Sequence, residues 1–72
     1  MTNMNDGVHT TTDPKGTGWV NQANGTVLTR HRKKTRAIAA GRALAKQHAT
    51  DFTNHRKDGS VIQTRSYGVS PL

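Results

Sequence analysis

The first clear alternation of apolar and polar residues runs from Gly18 to Arg32, in the segment GWVNQANGTVLTRHR. Two short runs rich in apolar and β-branched residues flank the dipeptide Asn24-Gly25. Asn-Gly accepts the positive φ angles of a type I′ turn, which joins two antiparallel strands. We therefore predict a β-hairpin in this segment.

A second pair of runs lies near the C-terminus, in DFTNHRKDGSVIQTRSYG, with Asp58-Gly59 as the turn. This pattern predicts a second hairpin with two possible registers. A two-residue turn places Phe52, Val61 and Tyr67 on one face, whereas a three-residue turn with a bulge places Ile62 beside Phe52. We prefer the first register. Because a domain this small needs its large apolar groups for the core, we expect Trp19 and Phe52 to belong to the core and Tyr67 to have a structural role.

Between the hairpins, the segment KTRAIAAGRALAKQHA consists mostly of helix-favouring residues. A helical period gathers its apolar and small residues, together with one histidine, on a single stripe. The stripe contains Ala37, Ile38, Gly41, Leu44, Ala45 and His48. The element order is thus β-β-α-β-β, and we predict an α+β class with one amphipathic helix packed on a small antiparallel sheet of two hairpins.

Residues 1–16 are rich in Thr, Asn, Gly and Asp, and Met1, Met4 and Val8 are their only large apolar groups. So few apolar groups do not offset an ordering entropy of roughly 1–2 kcal/mol per residue. We therefore predict a flexible N-terminal tail over residues 1–16 and a single small domain over residues 17–72.

Three motifs follow one another along the chain: the Trp-led strand at Gly18-Trp19-Val20, the helix string from Ala37 to Lys46, and HRKDGSV followed by SYG and Pro71. In this order they resemble a small bacterial family, domain of unknown function 2188. The resemblance covers about Gly18 to Pro71 and implies the architecture without implying an activity, cofactor or partner. The chain departs from the family pattern at Gly41, where Ala is usual, at Val61 and at Arg36.

The charge of the chain is strongly basic and uneven. The chain contains eleven Lys and Arg residues and four Asp and Glu residues, for a net charge of +7. No Lys or Arg precedes Lys15. Five fixed positive charges fall within Arg30–Arg36, at the predicted start of the helix. Positive charge there opposes the helix dipole, and free backbone N–H groups with Arg and Lys side chains suit a phosphate. A solvated basic turn is the simpler interpretation of the same run.

Two functions remain open. We favour a small non-catalytic module that binds the phosphate backbone of DNA or RNA. Its candidate binding residues are Arg30, Arg32, Lys33, Lys34, Arg36, Arg56 and Lys57. The alternative is a protein-interaction module that recruits an acidic protein or a second copy of itself through an exposed sheet face or edge.

Other classes are disfavoured by what the chain lacks. It has no Cys, and after the predicted tail only Asp51 and Asp58 carry carboxylates, so we expect no enzyme, no cofactor and no small-molecule substrate. The four histidines share no close ligand spacing, so we expect no metal site; we expect His55 to hydrogen-bond near the Asp58-Gly59 turn. The longest apolar stretch is far below the roughly 18 residues that span a bilayer, so we expect no membrane partner and a cytoplasmic location.

Overall fold

A computed structural model describes residues 7–68, which form one helix on one face of a five-stranded mixed sheet. The elements are β1 (Val8–Thr12), β2 (Trp19–Ala23), β3 (Thr26–His31), α1 (Lys34–Gln47), β4 (Asp51–His55) and β5 (Val61–Ser66). The strand order is β3-β2-β1-β4-β5. The α+β class and both predicted hairpins are confirmed. The sheet is mixed, however, because β1 and β4 are parallel.

Strand β1 corrects the predicted tail boundary, because it is the central strand of the sheet. It pairs antiparallel with β2 and parallel with β4. Val8 and Thr10 are fully buried on the face that the helix covers. The run VHTTT has one aliphatic residue, but threonine is β-branched and favours a strand whose neighbours supply the packing. Residues 1–6 of the predicted tail and residues 69–72, which include Pro71, lie outside the described residues.

The first hairpin has the predicted turn. Asn24 has a φ of 53° and Gly25 a φ of 77°, and two positive φ angles are what a type I′ turn requires. Strands β2 and β3 pair from Ala23 opposite Thr26 to Trp19 opposite His31, with a bulge beside Asn21 and Gln22.

The second hairpin does not have the preferred register. A five-residue connection joins β4 to β5, Phe52 lies opposite Arg65, and a bulge beside His55 sets His55 opposite Val61. Val61 is 53% exposed and Ile62 44% exposed, so neither joins Phe52 in the core. The reason is that α1 packs on β1 to β4 and leaves β5 uncovered within the described residues.

The helix buries the small residues of its predicted stripe. Ala37, Gly41 and Ala45 are buried, and Ile38 and Leu44 are half-buried. His48, placed on the stripe by its spacing, is instead the exposed C-cap residue, since the helix ends there. The main apolar cluster joins Val8, Ala45 and Phe52, with Ile38, Leu44 and Tyr67 packed against it. Within residues 7–68, no helix has the length and apolarity needed to cross a membrane.

A buried polar network lies between the helix and the sheet. The Asn21 side chain is fully buried, and its Oδ1 accepts a hydrogen bond from Thr10 Oγ1. Its Nδ2 donates to Thr29 Oγ1 at 3.0 Å and to the Ala37 carbonyl at 2.8 Å. The amide of Asn21 thus links β1, β2, β3 and α1, and each of its three hydrogen bonds offsets part of the cost of burying a polar group.

Candidate functional site

The topology brings three connections to one end of the sheet. Because β1 and β4 are parallel, the segments that follow them, residues 13–18 and 56–60, lie at the same end. Strand β2 is antiparallel to β1 and β3 is antiparallel to β2, so β3 also ends there. The junction of residues 32–33 and the start of α1 therefore join the other two segments.

Most of the positive charge lies at this end of the sheet. Eight of the eleven Lys and Arg residues lie in or beside these segments. We call this group the basic end, and its members are Lys15, Arg30, Arg32, Lys33, Lys34, Arg36, Arg56 and Lys57. Among the described residues, two carboxylates accompany the group, those of Asp13 and Asp58. All seven candidate residues from the sequence belong to the basic end.

Two neighbouring depressions shape its surface. The first has a volume of about 410 Å³ and is lined by Arg30, His31, Arg32, Lys33 and Arg36. The second has a volume of about 450 Å³ and lies between the β1–β2 connection and the turn after β4. Its lining includes Asp13, Trp19, Arg32 and Lys57. Arg32 lines both depressions, so it connects the helix-start cations with Lys57.

The start of α1 lacks the usual compensation for its exposed N–H groups. The N-cap residue is Lys33, whose side chain makes no capping hydrogen bond, and the first turn contains no acidic residue. Capping side chains and first-turn carboxylates normally satisfy these donors and complement the helix dipole. Here the positive end of the helix dipole lies beside cations, so the two repel each other.

Some cations of the basic end already interact with other groups of the protein, and others do not. Arg30 Nε lies 3.4 Å from Asp13 Oδ2, and Arg56 Nη1 donates to the Val61 carbonyl at 3.1 Å. Lys34 Nζ lies 4.6 Å from the ring centroid of Trp19. Five exposed cations of the basic end have no side-chain hydrogen bond or ion pair within residues 7–68. They are Lys15, Arg32, Lys33, Arg36 and Lys57.

The turn after β4 holds one of the two carboxylates. Asp58 Oδ1 accepts hydrogen bonds from the Ser60 backbone N–H at 2.9 Å and from the Ser60 hydroxyl at 2.7 Å. These hydrogen bonds, with a smaller contribution from nearby Arg56, hold the pKa of Asp58 below its ordinary value of 3.8. The charge of Asp58 is therefore tied to its own turn.

A pair of histidines forms a contact that the sequence did not indicate. His9 Nδ1 lies 2.9 Å from His55 Nε2, and the two rings stack with centroids 5.2 Å apart. Their proximity follows from the parallel pairing of β1 with β4, which sets His9 opposite Thr53. His55 Nδ1 lies 3.0 Å from the Gly59 carbonyl, which confirms the expected contact at the turn. Among residues 7–68, no group of three or more potential metal ligands occurs.

The three aromatic residues have different environments. Phe52 is buried in the core as predicted, and Tyr67 is half-buried against it, with Lys46 Nζ 5.4 Å from its ring centroid. Trp19, which we expected in the core because of its large apolar side chain, is instead half-buried at the rim of the second depression. Its ring is therefore part of the surface around Arg32 and Lys57.

These features define a small α+β domain in which one helix covers a mixed sheet and three connections collect cations at one end. The chain belongs to the family described as an uncharacterized protein conserved in bacteria (DUF2188), whose model matches residues 8–67. The match begins at the first residue of β1, and it confirms the resemblance inferred from the sequence motifs. No curated protein and no solved structure matches the chain.

Proposed function

We propose that the protein is a non-catalytic module that binds the phosphate backbone of DNA or RNA through its basic end. The observation that supports this proposal is the convergence of cations from three separate connections. Five of these cations have no side-chain hydrogen bond or ion pair within the described residues. Like charges held this close repel one another, and a polyanion relieves that repulsion and releases counterions into solution.

The shape of the basic end favours an extended anion. The two depressions adjoin at Arg32, and their cations come from the helix start on one side and the turn after β4 on the other. A single small anion would contact one of the two depressions, whereas successive phosphates of a nucleic-acid strand contact both. Uncapped N–H groups at the start of α1 add donors for a phosphate oxygen.

Contacts of this kind position a nucleic acid without reading its sequence. Arg and Lys contacts to phosphate carry no base information, so we expect little sequence preference. The half-buried ring of Trp19 lies at the rim of the second depression, where an unpaired base that displaces Lys34 Nζ from the ring face would stack on it. We therefore expect single strands to bind at least as tightly as duplex.

The salt dependence of binding tests the proposal. Trp19 is the only tryptophan of the chain, so its fluorescence reports directly on the second depression when a DNA duplex or single strand is added. We expect a plot of log affinity against log salt to fall by about 0.9 per duplex phosphate neutralised and about 0.7 per single-strand phosphate. Replacing Arg32, Lys33 and Arg36 together by Ala should flatten the duplex slope by about two to three units.

A matched control separates the site from net charge. The triple variant of Arg42, Lys46 and Arg65 to Ala loses the same three charges from positions outside the basic end. We expect it to retain most of the wild-type slope. Equal losses in the two triple variants, or absence of binding at about 50 mM salt, would contradict the proposal.

A further inference from the structure

Strand β5 forms one edge of the sheet and, unlike the basic end, has little charge. All six residues of β5 are exposed, and α1 does not cover this strand within the described residues. Val61 and Ile62 are the two large apolar residues with exposed side chains in this part of the chain. The outer side of an edge strand also carries backbone N–H and C=O groups with no strand partner.

Strand β5 has few of the features that prevent edge strands from pairing. Its sequence VIQTRS contains one charge, at Arg65, and no Pro. Its first four residues are Val61, Ile62, Gln63 and Thr64, and three of these are β-branched. The opposite edge, β3, lies under the helix and leads into the cations of the basic end, which repel a second copy.

We propose that β5 pairs antiparallel with β5 of a second copy, which joins the two five-stranded sheets into one continuous sheet. The proposal is independent of nucleic-acid binding. A second copy suits this strand because uncharged, β-branched residues pair well with one another across two strands. An acidic peptide would find a single cation, Arg65, along the whole strand.

Charge selects the antiparallel orientation. Antiparallel pairing reverses one copy, so the two basic ends lie at opposite ends of the joint sheet, whereas parallel pairing would set them side by side. A two-fold axis perpendicular to the sheet pairs residues that point to the same face. With the axis near Gln63 or Thr64, the two Arg65 side chains do not lie opposite each other.

A six-residue strand forms a small interface, in the range below about 1,200 Å² that is typical of weak and transient complexes. We therefore expect a concentration-dependent dimer whose mass rises from 7.8 kDa towards twice that value as the protein is concentrated. Added salt should favour the dimer, because it screens the repulsion between two basic chains and leaves strand pairing intact.

Sedimentation equilibrium of nuclease-treated protein tests the inference. The variant Val61→Lys with Ile62→Lys should stay at 7.8 kDa, because it places charge on exposed edge positions. The control variant Ala39→Lys with Ala43→Lys adds the same charge on the exposed side of α1 and should still dimerise. Unchanged circular dichroism shows that each variant folds. A wild-type protein that stays monomeric, or an edge variant that dimerises like the control, would overturn the inference.

Cysteine cross-linking tests the orientation in a chain that has no native cysteine. Antiparallel pairing predicts an intermolecular disulfide for Gln63→Cys or Thr64→Cys, whichever lies on the axis. Ser66→Cys should not cross-link, because antiparallel pairing with the axis near those positions moves the two Ser66 residues apart. Equally efficient cross-linking at Ser66 would show parallel pairing and refute the antiparallel arrangement.

Discussion

Gly41 is the position where the packing of helix on sheet can be tested most directly. A Cβ atom at this residue would lie 2.5 Å from Asn21 Oδ1, 2.6 Å from Phe52 Cε1 and 3.0 Å from Thr10 Oγ1. Asn21 is held by three hydrogen bonds and Phe52 is buried in the core, so these neighbours have little room to move. We therefore expect Gly41→Ala to force the helix away from the sheet.

The expected magnitude is a difference between two opposing contributions. Ala in a helix interior is favoured over Gly by about 1 kcal/mol. Overpacking a well-packed core costs about 1–3 kcal/mol, and disturbing a hydrogen bond of the Asn21 network costs about 1 kcal/mol more. The net loss in the free energy of unfolding should therefore be about 2 kcal/mol. For a domain of this size, that corresponds to a decrease in Tm of roughly 10 °C.

Urea unfolding followed by circular dichroism measures this loss. Ala43→Gly, at an exposed position of the same helix, measures the propensity contribution alone and should cost about 1 kcal/mol. If Gly41→Ala stabilises the protein by as much as Ala43→Gly destabilises it, the close approach of α1 to Asn21 and Phe52 is wrong.

Three other predictions concern the ends of elements. Ala49 has a φ of 51°, and the Thr50 backbone N–H donates to the Ala45 carbonyl, as in a Schellman motif whose left-handed residue is usually Gly. Ala49→Gly should therefore stabilise the protein by about 1 kcal/mol in urea unfolding, and a loss of stability would contradict this geometry. The pKa of Asp58 is lowered on folding, so its ionised form adds stability above pH 3.8 that is lost as the pH falls through the lower folded value. Asp58→Asn should flatten that part of the pH profile and lose, at neutral pH, the stability that the ionised carboxylate contributes; urea unfolding across the acid range measures both, and an unchanged profile would contradict this assignment. The Gly59 carbonyl can only accept a hydrogen bond, so neutral His55 should carry its proton on Nδ1 in ¹⁵N NMR spectra; a proton on Nε2 would exclude this contact.

The elements that could be predicted from the sequence are those with a local signal. Asn24-Gly25 indicated the first hairpin because the dipeptide itself favours positive φ, and the stripe of small residues indicated the helix face because helical spacing is local. Strand β1 has no such signal. Its threonines become core-facing or strand-paired only when β4, more than forty residues later in the chain, lies beside it. The exposure of Val61 and Ile62 also depends on where the helix ends relative to β5, which residue type does not determine.

The same long-range pairing determines how much of the candidate site the sequence could indicate. The run Arg30–Arg36 is visible by inspection, and its position at the start of α1 follows from the local helix signal. The relation of Lys57 and Lys15 to that run is not visible, because it requires the connections after β1 and β4 to lie at one end. The position of Lys57 depends on the parallel pairing of β4 with β1. Without that pairing, the turn after β4 could lie at either end of the sheet.

The crossover made by the helix gives this arrangement its physical cause. The helix begins beside the end of β3 and returns to the opposite end of the sheet before β4 begins, so β4 runs in the same direction as β1. Each turn that follows a parallel strand is then brought to the end where the helix starts. Replacing Arg32, Lys33 and Arg36 therefore probes charge that a local sequence run supplies, whereas replacing Lys57 probes charge that only the β1–β4 pairing brings near. We expect Lys57→Ala to reduce the salt dependence of nucleic-acid binding and Arg65→Ala to leave it unchanged, because only Lys57 lies at the basic end. Equal effects of the two substitutions would show that the β1–β4 pairing does not bring Lys57 into the binding site.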